Sequence, residues 1–207
     1  MLEIAVKSRL LNLGFNKPSI EKIHLFVREL ISFNQKYNLI SKSTENVVWH
    51  RHVLDSAQIC RFIDFNSNYT LSDLGSGAGF PGILIDIFNN NSEFHVKLYE
   101  KSKIKADFLN NIKFLLDLNY NVINDDVNKS EINSNYIVCR AFKKLPEIIR
   151  ISRENNKQPH QIIILKGKSA QSEINNAFIA RDLKYKLEDS ITDKESKIII
   201  IDVKNSE

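Results

Sequence analysis

The stretch LSDLGSGAGFPG, residues 71–82, places Gly75, Gly77, Gly79 and Gly82 within eight positions of a chain that has six glycines in all. Glycine takes positive φ without the penalty a Cβ brings, and it lets a ligand come close to main-chain N–H groups at the positive end of a helix. The loop follows the apolar run ending at Leu74, and Pro81 stands where a helix is expected to begin, a place suited to its fixed φ and missing N–H. Strand, glycine loop and helix in that order predict a cofactor cradle. Its carboxylate partner is Glu100, at the end of the period-two run FHVKLYE. In an open α/β sheet this is the carboxyl edge, where ligands bind, and an ionised carboxylate there can accept from both ribose hydroxyls of an adenosine cofactor.

Two registers share these letters. Gly77-x-Gly79-x-x-Gly82 matches the dinucleotide fingerprint, whereas Gly75-x-Gly77-x-Gly79 opens directly after the strand and fits the loop's place better. No Lys-Ser or Lys-Thr follows the glycines, so a Walker loop is excluded. Glu100 serves either adenosine cofactor and does not choose between them.

These residues need elements to hold them. Val6, Leu10 and Leu13 continue a helical spacing from Leu2, with Gly14 at a C-cap position. Ile20, Ile23, Val27, Leu30 and Ile31 predict a second helix, capped by Ser19 and ending near Tyr37. A third is expected from about Thr44 to Ile63. From Tyr69 onward YTLSDL, PGILIDIF, FHVKLYE and KADFLNNIKFLLDL alternate strand and helix, an order that predicts a parallel sheet covered by helices. YNVIND, YIVCRAF and QIIILK continue the strands. LKYKLEDSITDKESKIIIIDVK reads as an antiparallel hairpin closing the sheet. RENNKQPH and the last few residues are the candidates for disorder.

Hydrophobic residues make up 43% of the chain and charged ones 26%, an ordinary globular balance. Glu3, Lys7 and Arg9 stand where a signal peptide needs an apolar run, and no stretch reaches the roughly 18 apolar residues of a spanning helix, so a cytoplasmic protein with no membrane partner is expected. Cys60 and Cys139 lie far apart with no metal-binding spacing, so no metal site is expected. The net charge of +4 permits a polyanionic partner without requiring one.

Read together, Tyr37-Asn38-Leu39, Arg51-His52-Val53-Leu54-Asp55-Ser56, GSGAGFPG, Cys139-Arg140-Ala141-Phe142 and Leu165-Lys166-Gly167 form an ordered pattern over nearly the whole chain. The pattern resembles the ribosomal RNA small subunit methyltransferase G family, also called GidB, and the three-glycine loop resembles motif I of class I S-adenosylmethionine-dependent methyltransferases. The resemblance implies a Rossmann-like, mostly parallel seven-stranded sheet with helices on both faces (67–207) and an N-terminal helical extension (1–66). It implies S-adenosylmethionine as cofactor and 16S ribosomal RNA or the 30S particle as partner. The implied reaction is methylation of guanine N7 in the 530 loop; a monomer is expected. Implied cofactor contacts fall on Asp73, Gly75, Gly77, Gly79, Phe80, Glu100, Asp126, Val127, Asn128 and Arg140. The family commonly has an acidic residue where Asn128 stands, and Arg-Asp-Pro where this chain reads SKSTEN.

Guanine N7 has an in-plane lone pair, so attack on a sulfonium methyl needs no prior proton removal and positioning is the catalytic task. Candidates for that task are Asn38, His52, Asp55, Arg140 and Lys166. His52 and Asp55 lie three apart, on one helix face. Asp55 is suited either to guanine N1 and N2 or to fixing the His52 tautomer, and the pair is equally suited to capping a helix or to a polar network joining the helical extension to the sheet domain. Arg140, at a strand end, is suited to a cofactor carboxylate or an RNA phosphate. Lys143, Lys144, Lys166 and Lys168 form a possible backbone track, with Lys101, Lys103 and Lys105 as a further patch.

Overall fold

The computed structural model describes residues 3–178 and 184–204. Seven strands form one sheet in the order β3-β2-β1-β4-β5-β7-β6. They are β1 (Thr70–Leu74), β2 (His95–Tyr99), β3 (Asn121–Ile123), β4 (Tyr136–Arg140), β5 (His160–Lys166), β6 (Lys184–Asp189) and β7 (Lys197–Val203). The first five run parallel, and β7 enters antiparallel between β5 and β6. The expected hairpin is therefore present, with its second strand as the inner one; Leu183 of the predicted segment lies outside the described residues.

Strand side chains alternate between two cores. Leu71, Val96, Leu98, Val138, Ile163, Leu165, Ile198 and Ile200 point to one, while Leu74, Tyr99, Ile137, Cys139, Ile162, Ile164, Ile199 and Ile201 point to the other. This two-residue period is the pleat of a sheet buried on both faces. Helices α5 (Gly82–Phe88) and α6 (Lys103–Leu116) cover the first face. Helices α7 (Leu145–Asn155) and α8 (Ala170–Phe178) contribute to the second core; the sequence reading leaves both unassigned. The first core also takes in α1 (Glu3–Asn12) and α2 (Lys17–Asn34), through Val6, Leu10, Ile23, Phe26 and Leu30. Each such buried side chain contributes about 1.5–3 kcal/mol.

Several local expectations need correction. Helix α2 is capped by Asn16, whose side chain accepts from the Ser19 N–H at 2.8 Å, and Ser19 is instead buried, donating to the Ile87 carbonyl. The helix stops at Asn34, a buried amide. Asn34 Oδ1 accepts from Leu39 N–H (2.6 Å) and Ile40 N–H (2.9 Å), while its Nδ2 donates to the Ile40 carbonyl and to Glu45. One side chain thereby shapes the whole 35–41 turn. The predicted third helix is a broken run: α3 (Lys42–Glu45), a π turn (Trp49–Leu54), α4 (Asp55–Ala57) and a 3₁₀ segment (Gln58–Phe62). Within RENNKQPH, Asn156 is buried and brackets Ser134 by bonds to its N–H and carbonyl, and His160 opens β5, so this segment is ordered. Residues 205–207 lie outside the described residues.

Candidate functional site

At the carboxyl edge of β1 and β2 the glycine loop turns over a cavity of about 620 Å³, within the size range of small-molecule sites. Gly75, Gly77 and Gly79 all have positive φ. A Cβ on Gly75 meets the Phe142 ring at 2.3 Å, one on Gly79 meets Ile83 Cδ1 at 2.3 Å, and one on Gly82 meets Leu98 Cδ2 at 2.1 Å. At these three positions the glycine makes room for the protein's own side chains. Gly77 differs in that its Cβ direction is open, with the Gly75 carbonyl nearest at 3.8 Å; like Gly75, it lines the cavity. Sequence reasoning treats the four alike; only tertiary contacts separate them.

Glu100 is buried at the end of β2, and Oε2 accepts the Gly77 N–H at 2.9 Å while Oε1 accepts the Ser102 N–H at 2.8 Å. The carboxylate thus fixes the loop and lines the same cavity. Asp73 is placed differently from the expectation. Its fully buried carboxylate does not line the cavity; Oδ2 accepts the Gly82 N–H at 3.0 Å, tying β1 to the start of α5, and Oδ1 has no hydrogen-bond partner. Burial pushes its pKa up to about 7.

Beyond Glu100 the wall continues through Asp125, Asp126, Val127 and Asn128. Val127 is buried, and Asp126 Oδ1 accepts both the N–H and the side-chain amide of Asn128, which lowers the pKa of this exposed carboxyl. Apolar wall and polar turn together suit a flat heterocycle. Leu39, Ile40 and Ser41 line the cavity as well, held in place by Asn34. Asn38 itself is exposed and does not line it.

Arg140, His52 and Phe80 line the cavity too. The Arg140 guanidinium donates from Nε to Asp55 Oδ2 (3.0 Å), from Nη1 to His52 Nδ1 (2.9 Å) and from Nη2 to the Arg51 carbonyl (2.8 Å). Because arginine only donates, Nδ1 of His52 is the acceptor and the proton sits on Nε2, which donates to Thr44 Oγ1 at 2.9 Å. Burial, with the charges of Arg140 and Arg51 adding, holds the imidazole at about 3, so it is neutral at physiological pH. The ring stacks on Phe80 with centroids 5.4 Å apart. Asp55 is turned away from the cavity; its Oδ1 accepts from Thr192 Oγ1 at 2.7 Å in the β6–β7 connection. The π turn lies where these groups meet, a frequent association for such turns.

Ala141, next to Arg140, has φ of +49°, and Phe142 closes over Gly75. An alanine in the left-handed region is strained, and such strain tends to gather at functional sites. Sequence reasoning missed the strained Ala141, the Phe142 cover, the Leu39–Ser41 wall, and Thr44 and Thr192. Only the Cys-Arg-Ala-Phe run hinted at the first two.

Lys166 lies outside this cavity, donating to the Lys143 carbonyl at 2.7 Å and pairing with Glu173 at 2.8 Å. Lys143 pairs with Glu147 and Lys168 with Glu195. Trp49 is buried, with the Lys7 ammonium 5.1 Å from its ring centroid, so it is a core aromatic. Cys60 and Cys139 are buried free thiols. Among the described residues no group of three or more His, Cys, Asp or Glu is arranged to hold a metal, and no helix is long and apolar enough to cross a membrane.

Comparison with known proteins supplies an independent line. Residues 19–200 match the family model of GidB, described as rRNA small subunit methyltransferase G. A protein of Pelagibacter ubique named ribosomal RNA small subunit methyltransferase G is 35% identical over 195 residues, covering 92% of this chain and 91% of its own. One of the same name from Rickettsia bellii is 37% identical over 182 residues, covering 88% and 92%. Among solved structures, an O-methyltransferase from Bacillus cereus in complex with SAH aligns with a TM-score of 0.57 at 13% identity, over 86% of this chain and 90% of that one. A SAM-dependent methyltransferase from Aquifex aeolicus aligns with a TM-score of 0.56 at 11% identity, over 72% and 89%. At such identities these two speak for the fold alone.

Proposed function

The chain belongs to the GidB family, rRNA small subunit methyltransferase G, and from that premise we propose that it methylates N7 of a guanine in the 530 loop of 16S ribosomal RNA. The cofactor is S-adenosylmethionine, which when bound supplies an electrophilic sulfonium methyl. The residues present fit it. The open face of Gly77 leaves room beside the Glu100 carboxylate, which would hold the ribose hydroxyls. Val127 and Asn128 would flank the adenine, and the loop from Gly75 to Phe80 would border the methionine end.

The chain's own contribution to transfer is positional. N7 needs no base, and the one histidine lining the cavity is neutral with both nitrogens engaged, so it is set to orient rather than to move a proton. A purine methylated at N7 is cationic, so the wall beside the guanine would have to tolerate positive charge. Arg140 meets that demand because its charge is matched by Asp55, and Phe80 offers an aromatic face beside it. Arg140 and Phe80 are therefore read as holding the guanine's approach through the rigidity of the wall.

The observation that carries this reading is the single cavity shared by Gly77, Glu100, Val127 and the Arg140–His52–Phe80 wall. Incubation of 30S subunits with radiolabelled S-adenosylmethionine, followed by nucleoside mapping, tests it. The expected result is one 7-methylguanosine in the 530 loop of 16S rRNA; label at another atom or in another RNA overturns the assignment.

A further inference from the structure

The cavity has two cationic borders, and their charges are in different states. On one side a smaller cavity of about 210 Å³ is lined by Arg51, Arg140, Lys166 and Lys197. Each of these is paired with a carboxylate: Arg51 with Asp193, Arg140 with Asp55, Lys166 with Glu173 and Lys197 with Asp189. A cation already neutralised at short range offers little to an incoming phosphate. These four cations therefore offer less free charge to RNA than the sequence reading of a backbone track supposes, although Lys144 of that track is exposed and has no carboxylate within ion-pairing distance among the described residues.

On the other side lies a groove of about 380 Å³ between α2 and α6, lined by Phe33, Lys36, Tyr37, Phe108 and Leu115 among others, and by Glu29, whose carboxylate is paired with Arg28 at 3.0 Å. Both of its walls run on into the main cavity. Tyr37 is followed by Leu39, Ile40 and Ser41, which line that cavity, and on α6 Phe108 lies one turn beyond Lys105, which also lines it. Lys36, Lys101 and Lys105 have no carboxylate within ion-pairing distance among the described residues. Tyr37 is 43% exposed, its ring braced by Phe33 at 4.7 Å, and Phe33 is in turn held by Phe108 at 4.9 Å. Unpaired cations beside a braced, half-exposed aromatic form the combination that single-stranded nucleic acid uses, phosphates on the charges and a base on the ring.

We propose that the α2–α6 groove is the entry track for the RNA strand that carries the target nucleotide, with a flanking base stacked on Tyr37 and its phosphates on Lys36 and Lys105. The proposal rests on the ribosomal RNA reading and adds to it a path and a stacking residue. It also gives the exposed apolar edge of the groove, Leu115 at 53% exposure, a use.

The test measures binding of a fluorescein-labelled single-stranded oligoribonucleotide of the 530-loop sequence to the full chain saturated with S-adenosylhomocysteine, across a salt series. Tyr37→Ala is expected to weaken binding about tenfold, Tyr37→Phe to restore it, and Lys36→Ala to lower the salt slope by about 0.7. Calorimetric binding of S-adenosylhomocysteine is expected to be unchanged in all three, which shows that they fold. Unchanged RNA affinity and salt slope in Tyr37→Ala and Lys36→Ala overturn the track. So does a loss confined to 30S particles with none on the free RNA, which assigns the groove to a ribosomal protein. If the variants lose RNA binding while the wild-type protein methylates no ribosomal RNA, the track stands and the functional reading falls.

Discussion

Arg140 at the end of β4 and Asp55, 85 residues earlier, join through Nε and Oδ2 at 3.0 Å, and this contact fastens the N-terminal helical run to the sheet at the cavity wall. Around it the hairpin connection is held by Thr192 to Asp55, Ser190 to Gln58 and Ile191 to Gln58. The helical run, the β4 end and the hairpin thus meet at one ion pair. His52 and Asp55, suited by their spacing either to the substrate or to a polar network tying the helical extension to the sheet, take part in such a network, and His52 alone of the two also lines the cavity.

Removing one partner of this pair leaves a charge with little water around it, since both side chains are about one-sixth exposed. Arg140→Ala and Asp55→Ala are each expected to cost about 2–4 kcal/mol of stability in urea titrations. The double variant should lose less than the sum of the two, with a coupling of about 1–3 kcal/mol. Additive losses would mean that the contact contributes nothing, and Arg140 would have to be read as a ligand group only.

Gly75 and Gly77 are expected to fail in different ways when changed to alanine. At Gly75 the new methyl runs into the Phe142 ring, so folding suffers, and a second change, Phe142→Ala, should recover part of the lost stability. At Gly77 the methyl has space, and the cost is the left-handed backbone alone, about 1–2 kcal/mol. Gly77→Ala should therefore remain folded in a thermal melt while binding of S-adenosylhomocysteine, measured by calorimetry, falls at least tenfold. Gly77→Arg should abolish it. Equal stability losses at the two glycines would contradict the distinction.

Glu100→Gln keeps the size of the side chain and removes its charge. One of the two N–H groups that the carboxylate accepts, from Gly77 or Ser102, must then face an amide N–H₂. Hydrogen bonds to a charged group are worth about 1.5–3 kcal/mol, so cofactor affinity should fall about 10- to 100-fold, with loop stability slightly reduced. An unchanged dissociation constant would remove Glu100 from the ribose site.

How much of this is legible without coordinates follows from the range of each interaction. The glycine loop, the strand-end place of Glu100 and the short apolar run QIIILK as a strand are local patterns, and each lies where the sequence puts it. What separates Gly77 from its neighbours is the position of Phe142, Ile83 and Leu98, residues placed by packing. Asp73 reads as a ligand because it precedes the loop, yet the Gly82 N–H draws its carboxylate beneath the turn. Of the lysines around the ends of β4 and β5 that read as an RNA track, Lys143, Lys166 and Lys168 have carboxylate partners, Glu147, Glu173 and Glu195, on neighbouring turns or in another segment, whereas Lys144 has none among the described residues. Sequence supplies the charges; the fold decides which remain available.

Protonation of Asp73 supplies the last expectation. Its pKa in the folded protein is about 7, above the roughly 3.9 of an exposed aspartate. Between about pH 4 and 7 the folded chain therefore binds a proton at Asp73 that the unfolded chain does not, and this site makes stability fall as pH rises, by up to about 1.4 kcal/mol per pH unit. His52 has the opposite sign. Its folded pKa of about 3 lies below the usual 6.5, so the unfolded chain binds the extra proton and stability rises with pH between about 3 and 6.5. In the wild-type protein the two oppose each other from about pH 4 to 6.5. Asp73→Asn retains an acceptor for the Gly82 N–H and removes one of the two effects, so its stability relative to wild type should climb from pH 4 to 7 and then level off. Urea midpoints across pH 4–8 measure this. A pH-independent difference between variant and wild type would show that Asp73 is ionised in the folded protein throughout, and that a partner for its second oxygen exists.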